Sequence, residues 1–291
     1  MSAESWRRLF PFAPHWHTLP DGRRIHYVDE GAGRPVLLLH GNPTWSFMYR
    51  DAIAALAAGG FRAIAPDHLG CGLSDKPQDA DYTLDGHLGR LGSLLDALSL
   101  DAPLDLVVHD WGGPIGLAFA ERHPGRVRRI VLMNTIAWAT RQFPRAIYLT
   151  KCPWLGALLV RRLNVLLNVA LRRVPLTPLP PDVEAGYRAP YGSYRDRIAI
   201  QRFPQDIPLD PGHPSHEAFR RLEQGLPALR RHRVLALWGE HDFCFPLAFL
   251  DRWRDLLGDA LDVRTFPDAS HLLLEDQTQP VLRELLAFLR G

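Results

Sequence analysis

Along this chain, short unbroken runs of apolar residues take turns with stretches of helical periodicity. Residues 24–28 alternate as a half-buried strand does, and Val36-Leu37-Leu38-Leu39 is a continuous run suited to a strand covered on both faces. Positions 51–58 carry helical spacing that stops at Gly59-Gly60, and 61–65 reads as a strand ended by Pro66. The same rhythm predicts a helix over 87–98, a buried strand over 104–109, a helix over 113–122 and a strand over 129–133. Strands alternating with helices at this spacing predict a parallel sheet with helices on both faces.

From residue 136 to about 215 the rhythm breaks. Nine prolines fall between positions 175 and 214, there is no β pattern, and the clearest element is an apolar helix over 155–174 that carries Arg161, Arg162, Arg172 and Arg173. After it the α/β pattern resumes: a strand over 234–238, a helix over 246–257, a strand over 262–266 and a closing helix over 280–289. The expected architecture is therefore one α/β core, residues 1–135 and 216–291, interrupted by a helical cap over 136–215.

Composition narrows the classes further. With 46% hydrophobic and 23% charged residues, the 291-residue chain is not disordered, collagenous or coiled-coil. A formal charge of +2 is too small for an electrostatic nucleic-acid footprint. Cys71, Cys152 and Cys244 are far apart and odd in number, so they make neither a disulfide framework nor a zinc site. A reducing, cytoplasmic compartment is the expectation. Residues 1–16 lack the apolar core of a signal peptide, and no apolar run reaches the length of a membrane span.

The chemistry concentrates at four places, each following a strand. Val107-Val108-His109-Asp110-Trp111-Gly112-Gly113 runs from buried strand through a sharp turn into a helix, the setting of a nucleophile elbow with Asp110 at its apex. An Asp before a helix is more often only an N-cap. Its companions decide the matter. His40-Gly41-Asn42-Pro43 follows an earlier strand, where an oxyanion donor belongs, while Asp242 and His271 follow the last two strands. Nucleophile, acid and histidine thus appear in order at the carboxyl ends of strands, where open α/β sheets place their sites. His68 and His109 read as structural hydrogen-bonding residues, and the remaining histidines form no metal-ligand spacing. No metal and no cofactor are expected.

These motifs resemble those of the haloalkane dehalogenase group of the α/β-hydrolase superfamily, over nearly the whole chain. The resemblance rests on residues 40–46 (HGNPTWS), 67–77 (DHLGCGLSDKP) and 109–114 (HDWGGP). It implies an α/β-hydrolase fold and attack by Asp110 on a saturated carbon of a small apolar haloalkane. The halide ion leaves to Trp111 and Asn42, and water activated by His271, with Asp242 as its orienting acid, hydrolyses the ester. One branch of the group uses a Glu after the sixth strand as that acid; here Asn134 and Thr135 stand there, which favours Asp242.

Residues 186–191 and 202–209 of the cap also resemble the OleB-type β-lactone decarboxylases of long-chain olefin biosynthesis, close relatives that share the same five site residues. That resemblance implies a dialkyl β-lactone as substrate and the other enzymes of olefin biosynthesis as partners. The dehalogenase is ranked first and the decarboxylase second. An epoxide hydrolase, which would need acid tyrosines from among Tyr148, Tyr187, Tyr191 and Tyr194, ranks lower. A catalytically silent binding protein on this fold ranks last, because Asp110, Asp242 and His271 are all retained. The cap is expected to supply an apolar wall from the 155–174 helix, with Trp154, Leu155, Leu158, Leu159, Leu163, Leu166 and Leu167, and an aromatic wall from residues 187–194 and Phe203.

Overall fold

The alternating faces of eight strands organise the molecule, whose structure is a computed structural model describing residues 5–291; the first four positions of the expected core lie outside the described residues. The strands are β1 (His15–Thr18), β2 (Arg24–Gly31), β3 (Arg34–Leu39), β4 (Phe61–Pro66), β5 (Leu104–His109), β6 (Val127–Met133), β7 (Arg233–Gly239) and β8 (Leu261–Phe266). They form one sheet in the order β1-β2-β4-β3-β5-β6-β7-β8. Every neighbouring pair from β4 to β8 is parallel, while β1 and β2 add an antiparallel edge.

The continuous apolar runs of the sequence are two-sided cores. Leu37, Leu39, Leu106, Val108, Ile130, Leu132 and Val234 face one layer of helices. Their alternate neighbours Val36, Leu38, Val107, Val131, Leu235 and Leu237 face the other. Each such side chain, fully withdrawn from water, contributes about 1.5–3 kcal/mol, so neither face tolerates a polar slip in register. The helices of the two layers are α1 (Arg50–Ala58), α2 (Leu84–Ala97) and α3 (Gly112–Arg122) in the first half. Between β6 and β7 come α4 (Arg145–Lys151), α5 (Pro153–Gly156), α6 (Val165–Arg172), α7 (Pro181–Arg188), α8 (Ile198–Gln205) and α9 (His216–Gly225). Helices α10 (Leu247–Leu257), α11 (Leu273–Asp276) and α12 (Thr278–Arg290) complete the chain.

The strand order reverses at β3 and β5: from β3 the chain steps to β4 on one side and then crosses to β5 on the other. A crevice opens at such a switch point, beyond the carboxyl ends of the two strands. Asn42 and Asp110 sit just past those ends.

Two expectations need correction. The single helix over 155–174 is broken. A wide π turn, Ala157–Arg162, closed by Leu163 N–H on the Leu158 carbonyl at 2.9 Å, gives way to Asn164 at φ +54° before α6 begins. A left-handed residue cannot continue a right-handed helix, and the two segments meet at 53°. The antiparallel β1 was also not expected; its side chains alternate only between half-buried and exposed.

The α4–α8 helices are clasped to the core by Asp206, at the end of α8. One carboxylate oxygen accepts the backbone N–H of Leu84, at the start of α2, at 2.8 Å, and the other accepts the Ser215 hydroxyl. Burial, joined by the nearby Asp81, pushes this carboxyl up to about 7, against the lowering effects of those hydrogen bonds and Lys151. Unfolded, it would lose its proton near 4. Its protonation therefore supports the fold fully below about pH 4, and that support is lost as pH rises through about 7. Between these limits the unfolding free energy should fall by up to about 1.4 kcal/mol per pH unit from this group. Asp206→Asn should flatten that slope in denaturant titrations; an unchanged slope would show that the group does not titrate as its burial dictates.

Candidate active site

Asp110 has φ +49°, a left-handed conformation that a non-glycine residue adopts only under constraint. Three hydrogen bonds supply the constraint. The Asp110 N–H donates to the Asn134 carbonyl at 3.2 Å, and its own carbonyl accepts the Gly113 N–H at 2.9 Å and the Thr135 hydroxyl at 2.6 Å. The turn also needs bare backbone around it. A Cβ on Gly41 would overlap the Asp110 carboxylate, one on Gly112 the Leu39 carbonyl, and one on Gly113 the Thr135 hydroxyl. The strand therefore ends by lifting the Asp110 side chain out of the sheet and into the crevice.

The carboxylate meets two backbone donors there. Asn42 N–H donates to Oδ1 at 2.6 Å, and the Trp111 backbone N–H also supports the charged form. Burial raises the Asp110 carboxyl above its ordinary value, while His271 and these N–H groups oppose the rise. The result is a partly desolvated anion, the state in which a carboxylate is a better nucleophile than in water.

His271 lies beyond β8 and turns Nδ1 to Asp242 Oδ2 at 2.8 Å. Asp242 is itself held by Cys244 N–H at 2.7 Å and Phe245 N–H at 3.0 Å on Oδ1, and by Asn134 Nδ2 at 2.9 Å on Oδ2. Asn134 is fixed in turn by its amide contacts with the Gly239 N–H and carbonyl. From residue pattern alone, Asn134 is only the residue standing where a sister branch has Glu. In the fold it joins β6 to β7, accepts nothing from the imidazole, and orients Asp242. An amide at the carboxyl end of the strand beside the nucleophile's strand was the available signal.

Asn42, Asp110, Trp111 and His271 line one cavity of about 290 Å³. The Trp111 indole N–H has no hydrogen-bond partner among the described residues. The Asn42 carboxamide donates one N–H to the Ile200 carbonyl of α8 at 3.3 Å, which leaves its second N–H free of the protein. The remaining walls are apolar, built by residues such as Trp138, Phe143, Ile147, Leu159, Leu166 and Phe245, and no Lys, Arg or Tyr lines the cavity. An apolar guest with one electronegative leaving group matches this arrangement.

The expected walls need revision. Leu159 and Leu166 line the cavity, but Trp154, Leu158 and Leu163 point to solvent. Tyr187 is buried with its hydroxyl donating to Glu275 at 2.5 Å, and Tyr191 donates to the Thr44 carbonyl at 3.0 Å. Neither reaches the cavity; nor do Tyr148, Tyr194 and Phe203, the last packing at 5.1 Å against the Trp111 ring. Trp138, Phe143, Phe219, Phe243 and Phe245 supply the aromatic surface instead. No tyrosine of the described residues is among those that line the cavity. His68 and His109 are structural: His68 is bonded to His40 through its N–H and its ring at 3.0 Å, and the His109 ring meets the His271 carbonyl at 2.8 Å. Asp67, held at about 2 chiefly by the His26 imidazole against its own burial, receives N–H bonds from Ser46 and Leu73. The 67–77 motif thus braces the loop after β3 rather than lining the cavity.

Comparison with known proteins identifies the family and the fold. Residues 34–278 match the family model described as the alpha/beta hydrolase fold. The chain is 39% identical to a cis-3-alkyl-4-alkyloxetan-2-one decarboxylase of Shewanella oneidensis, over 97% of this chain and 89% of the relative. It is 37% identical to haloalkane dehalogenase 2 of Mycobacterium tuberculosis, over 92% of each. The crystal structure of the haloalkane dehalogenase DatA from Agrobacterium tumefaciens superposes with a TM-score of 0.84 at 30% identity, covering 96% of both chains.

The imidazole offers a direct check. Burial alone would lower the His271 pKa, but Asp242, through its charge and hydrogen bond, and then Asp110 raise it above the ordinary value. An NMR titration should find its midpoint above that of a free histidine. Asp242→Asn should lower the proton affinity at least about tenfold, the effect of losing one adjacent opposite charge. A midpoint unmoved by the substitution would mean that the 2.8 Å contact does not set the charge state.

Proposed function

From the premise that the chain belongs to the α/β-hydrolase fold family, in company with haloalkane dehalogenases and β-lactone decarboxylases, we propose that Asp110 is the nucleophile of a displacement at saturated carbon. Trp111 and Asn42 receive the leaving group through neutral N–H donors, which suit a weakly hydrated anion. His271 is the base and Asp242 its orienting acid. Helices of the 136–215 insertion serve as the cap over a core formed by the flanking segments.

For a haloalkane, an Asp110 oxygen forms a bond to carbon as the carbon–halogen bond breaks, and halide departs to Trp111 and Asn42. Water, deprotonated by His271, then attacks the carboxyl carbon of the ester. The Asn42 and Trp111 backbone N–H groups, already on the carboxylate, hold the resulting oxyanion, and alcohol leaves. For a cis-3,4-dialkyl-β-lactone, the same attack at the ring carbon bearing oxygen breaks the carbon–oxygen bond and frees a carboxylate at the leaving-group site. Loss of carbon dioxide from that carboxylate forms the carbon–carbon double bond and expels Asp110 unchanged. Inversion followed by anti elimination keeps the two alkyl groups cis, and no water is consumed.

The lactone is the reading we put first. The observation that carries it is the cavity itself: small, apolar, and open to solvent past Leu149, Val169 and Phe243, each of which both lines it and is exposed. Two long alkyl chains need such an exit. The decarboxylases of Shewanella oneidensis and Xanthomonas campestris, matched over 97% and 96% of this chain, add support. Haloalkane hydrolysis is the second reading, supported by the placement of His271, which only the hydrolytic route uses as a base. We place the enzyme in the cytoplasm, alongside the enzyme that closes the β-lactone ring.

Three measurements test this. Incubated in parallel with 1-bromobutane and a cis-3,4-dialkyl-β-lactone, the protein should convert the lactone to alkene and carbon dioxide at the higher kcat/KM; exclusive bromide release would reverse the order. Single turnover in ¹⁸O-water should label the peptide containing Asp110 with the bromoalkane and not with the lactone, and His271→Phe should accumulate an alkyl adduct on Asp110 only in the first case. Trp111→Phe should cost roughly 2–4 kcal/mol in the displacement step, as loss of an oxyanion donor does. If neither that variant nor Asn42→Ala slows displacement, these residues do not hold the leaving group.

A further inference from the structure

The wall between the cavity and solvent is apolar on both of its sides. Leu159, Val165 and Leu166 line the cavity, while Trp154, Leu158 and Leu163 on the same two helical segments are 71%, 46% and 54% exposed. A surface helix of a globular protein ordinarily carries one apolar stripe, and a second, outward one calls for a partner. No single helix among the described residues is long and apolar enough to cross a membrane, and Pro153–Arg162 and Val165–Arg172 are bent by 53° from each other. Short segments of this kind, with a tryptophan at the front and arginines at the flanks, lie along a lipid–water interface rather than through it.

Charge selects among the partners that could cover this face. Residues 141–181 hold seven basic residues and no acidic one, in a chain whose net charge is only +2. Arg145, Arg162 and Arg173 are exposed and join no ion pair among the described residues. The neighbouring acidic groups are occupied: Glu184 by Arg172 and Arg188, and Asp276 by Ser270 and the Leu176 N–H. A second copy seated on the same face would set the two cationic segments against each other, which disfavours a dimer there. A negatively charged bilayer does the opposite.

We propose that the face formed by Trp154, Leu158, Leu163 and the arginines beside them docks on an anionic phospholipid bilayer. The cavity mouth is set by Leu149 and Val169, which stand before and after these three apolar residues in the chain, and by Phe243. Docking therefore brings the mouth to the lipid surface, where a long-chain apolar substrate is most concentrated. That last consequence rests on the proposed function; the docking itself does not.

The test is flotation of the full-length protein with vesicles of phosphatidylcholine alone or with about one lipid in three replaced by phosphatidylglycerol. Binding should require the anionic lipid and weaken at high salt, with a blue-shifted tryptophan emission that Trp154→Phe removes. Arg162→Gln and Arg173→Gln should each lower vesicle affinity about fivefold. The double variant and Trp154→Ser should leave bromobutane or lactone turnover in vesicle-free buffer unchanged, which separates this proposal from the reading of Asp110. No flotation, equal flotation with neutral vesicles, or affinity unchanged in the Arg variants overturns the proposal. So does a dimer in sedimentation that shields Trp154 from an aqueous quencher.

Discussion

The left-handed turn at Asp110 is the constraint on which the rest of the molecule depends. An Asp at φ +49° is unfavourable by itself, and it persists because β3, β5 and β6 all end against it. Gly41 and Gly112 keep the β3 end bare, Thr135 and Asn134 beyond β6 supply the hydrogen bonds, and Gly113 and Gly116 let α3 start close to the sheet. The order of strands is what makes this possible. Only at the β3/β5 switch point does a loop on each side of the strand that ends in Asp110 leave the crevice clear.

The same turn sets the electrostatics. Its exit delivers the Trp111 N–H and its neighbour loop delivers the Asn42 N–H to one carboxylate, so backbone dipoles join the His271 imidazole in supporting the anion. A lysine or arginine would bind the carboxylate too well to leave it reactive, and none lines the cavity. Across the cavity, the Asn134 amide leaves Asp242 with four donors, including His271. A carboxylate so fully engaged has one geometry to offer the imidazole, which fixes the ring nitrogen left facing the cavity.

The parts of this arrangement that were legible in the sequence are those that burial dictates locally. Strands covered on both faces announce themselves as unbroken runs, so β3, β5, β6 and β7 could be read within one or two residues, and four of the five expected site residues follow such a run, while His271 follows the partly exposed, alternating β8. What could not be read depends on backbone or distance. His15-Trp16-His17-Thr18 is a strand only because β2 offers it an edge. The apolar spacing of 155–174 continues straight through Asn164, whose left-handed turn is invisible to periodicity. Tyr187 and Tyr191 looked like cavity residues because the helical insertion contains them; they instead pin that insertion to the sheet's loops, bonded to Glu275 and to the Thr44 carbonyl.

Those pins bear on how one fold accommodates different leaving groups. The core fixes Asp110, Trp111 and His271 through strand ends alone, but Asn42 is shared: its backbone N–H donates to the Asp110 carboxylate and its carboxamide is oriented by the Ile200 carbonyl of α8. The same α8 ends in Asp206, the clasp on α2, and Lys151 of α4 caps its last carbonyls at 3.0 Å from Pro204 and Gln205. A change in the helical insertion thus moves two things at once, the apolar space and the Asn42 carboxamide. The two are coupled through a single side chain. In the reaction proposed above, divergence in the insertion would redirect the chemistry while Asp110, His271 and Asp242 stay where the strand ends put them.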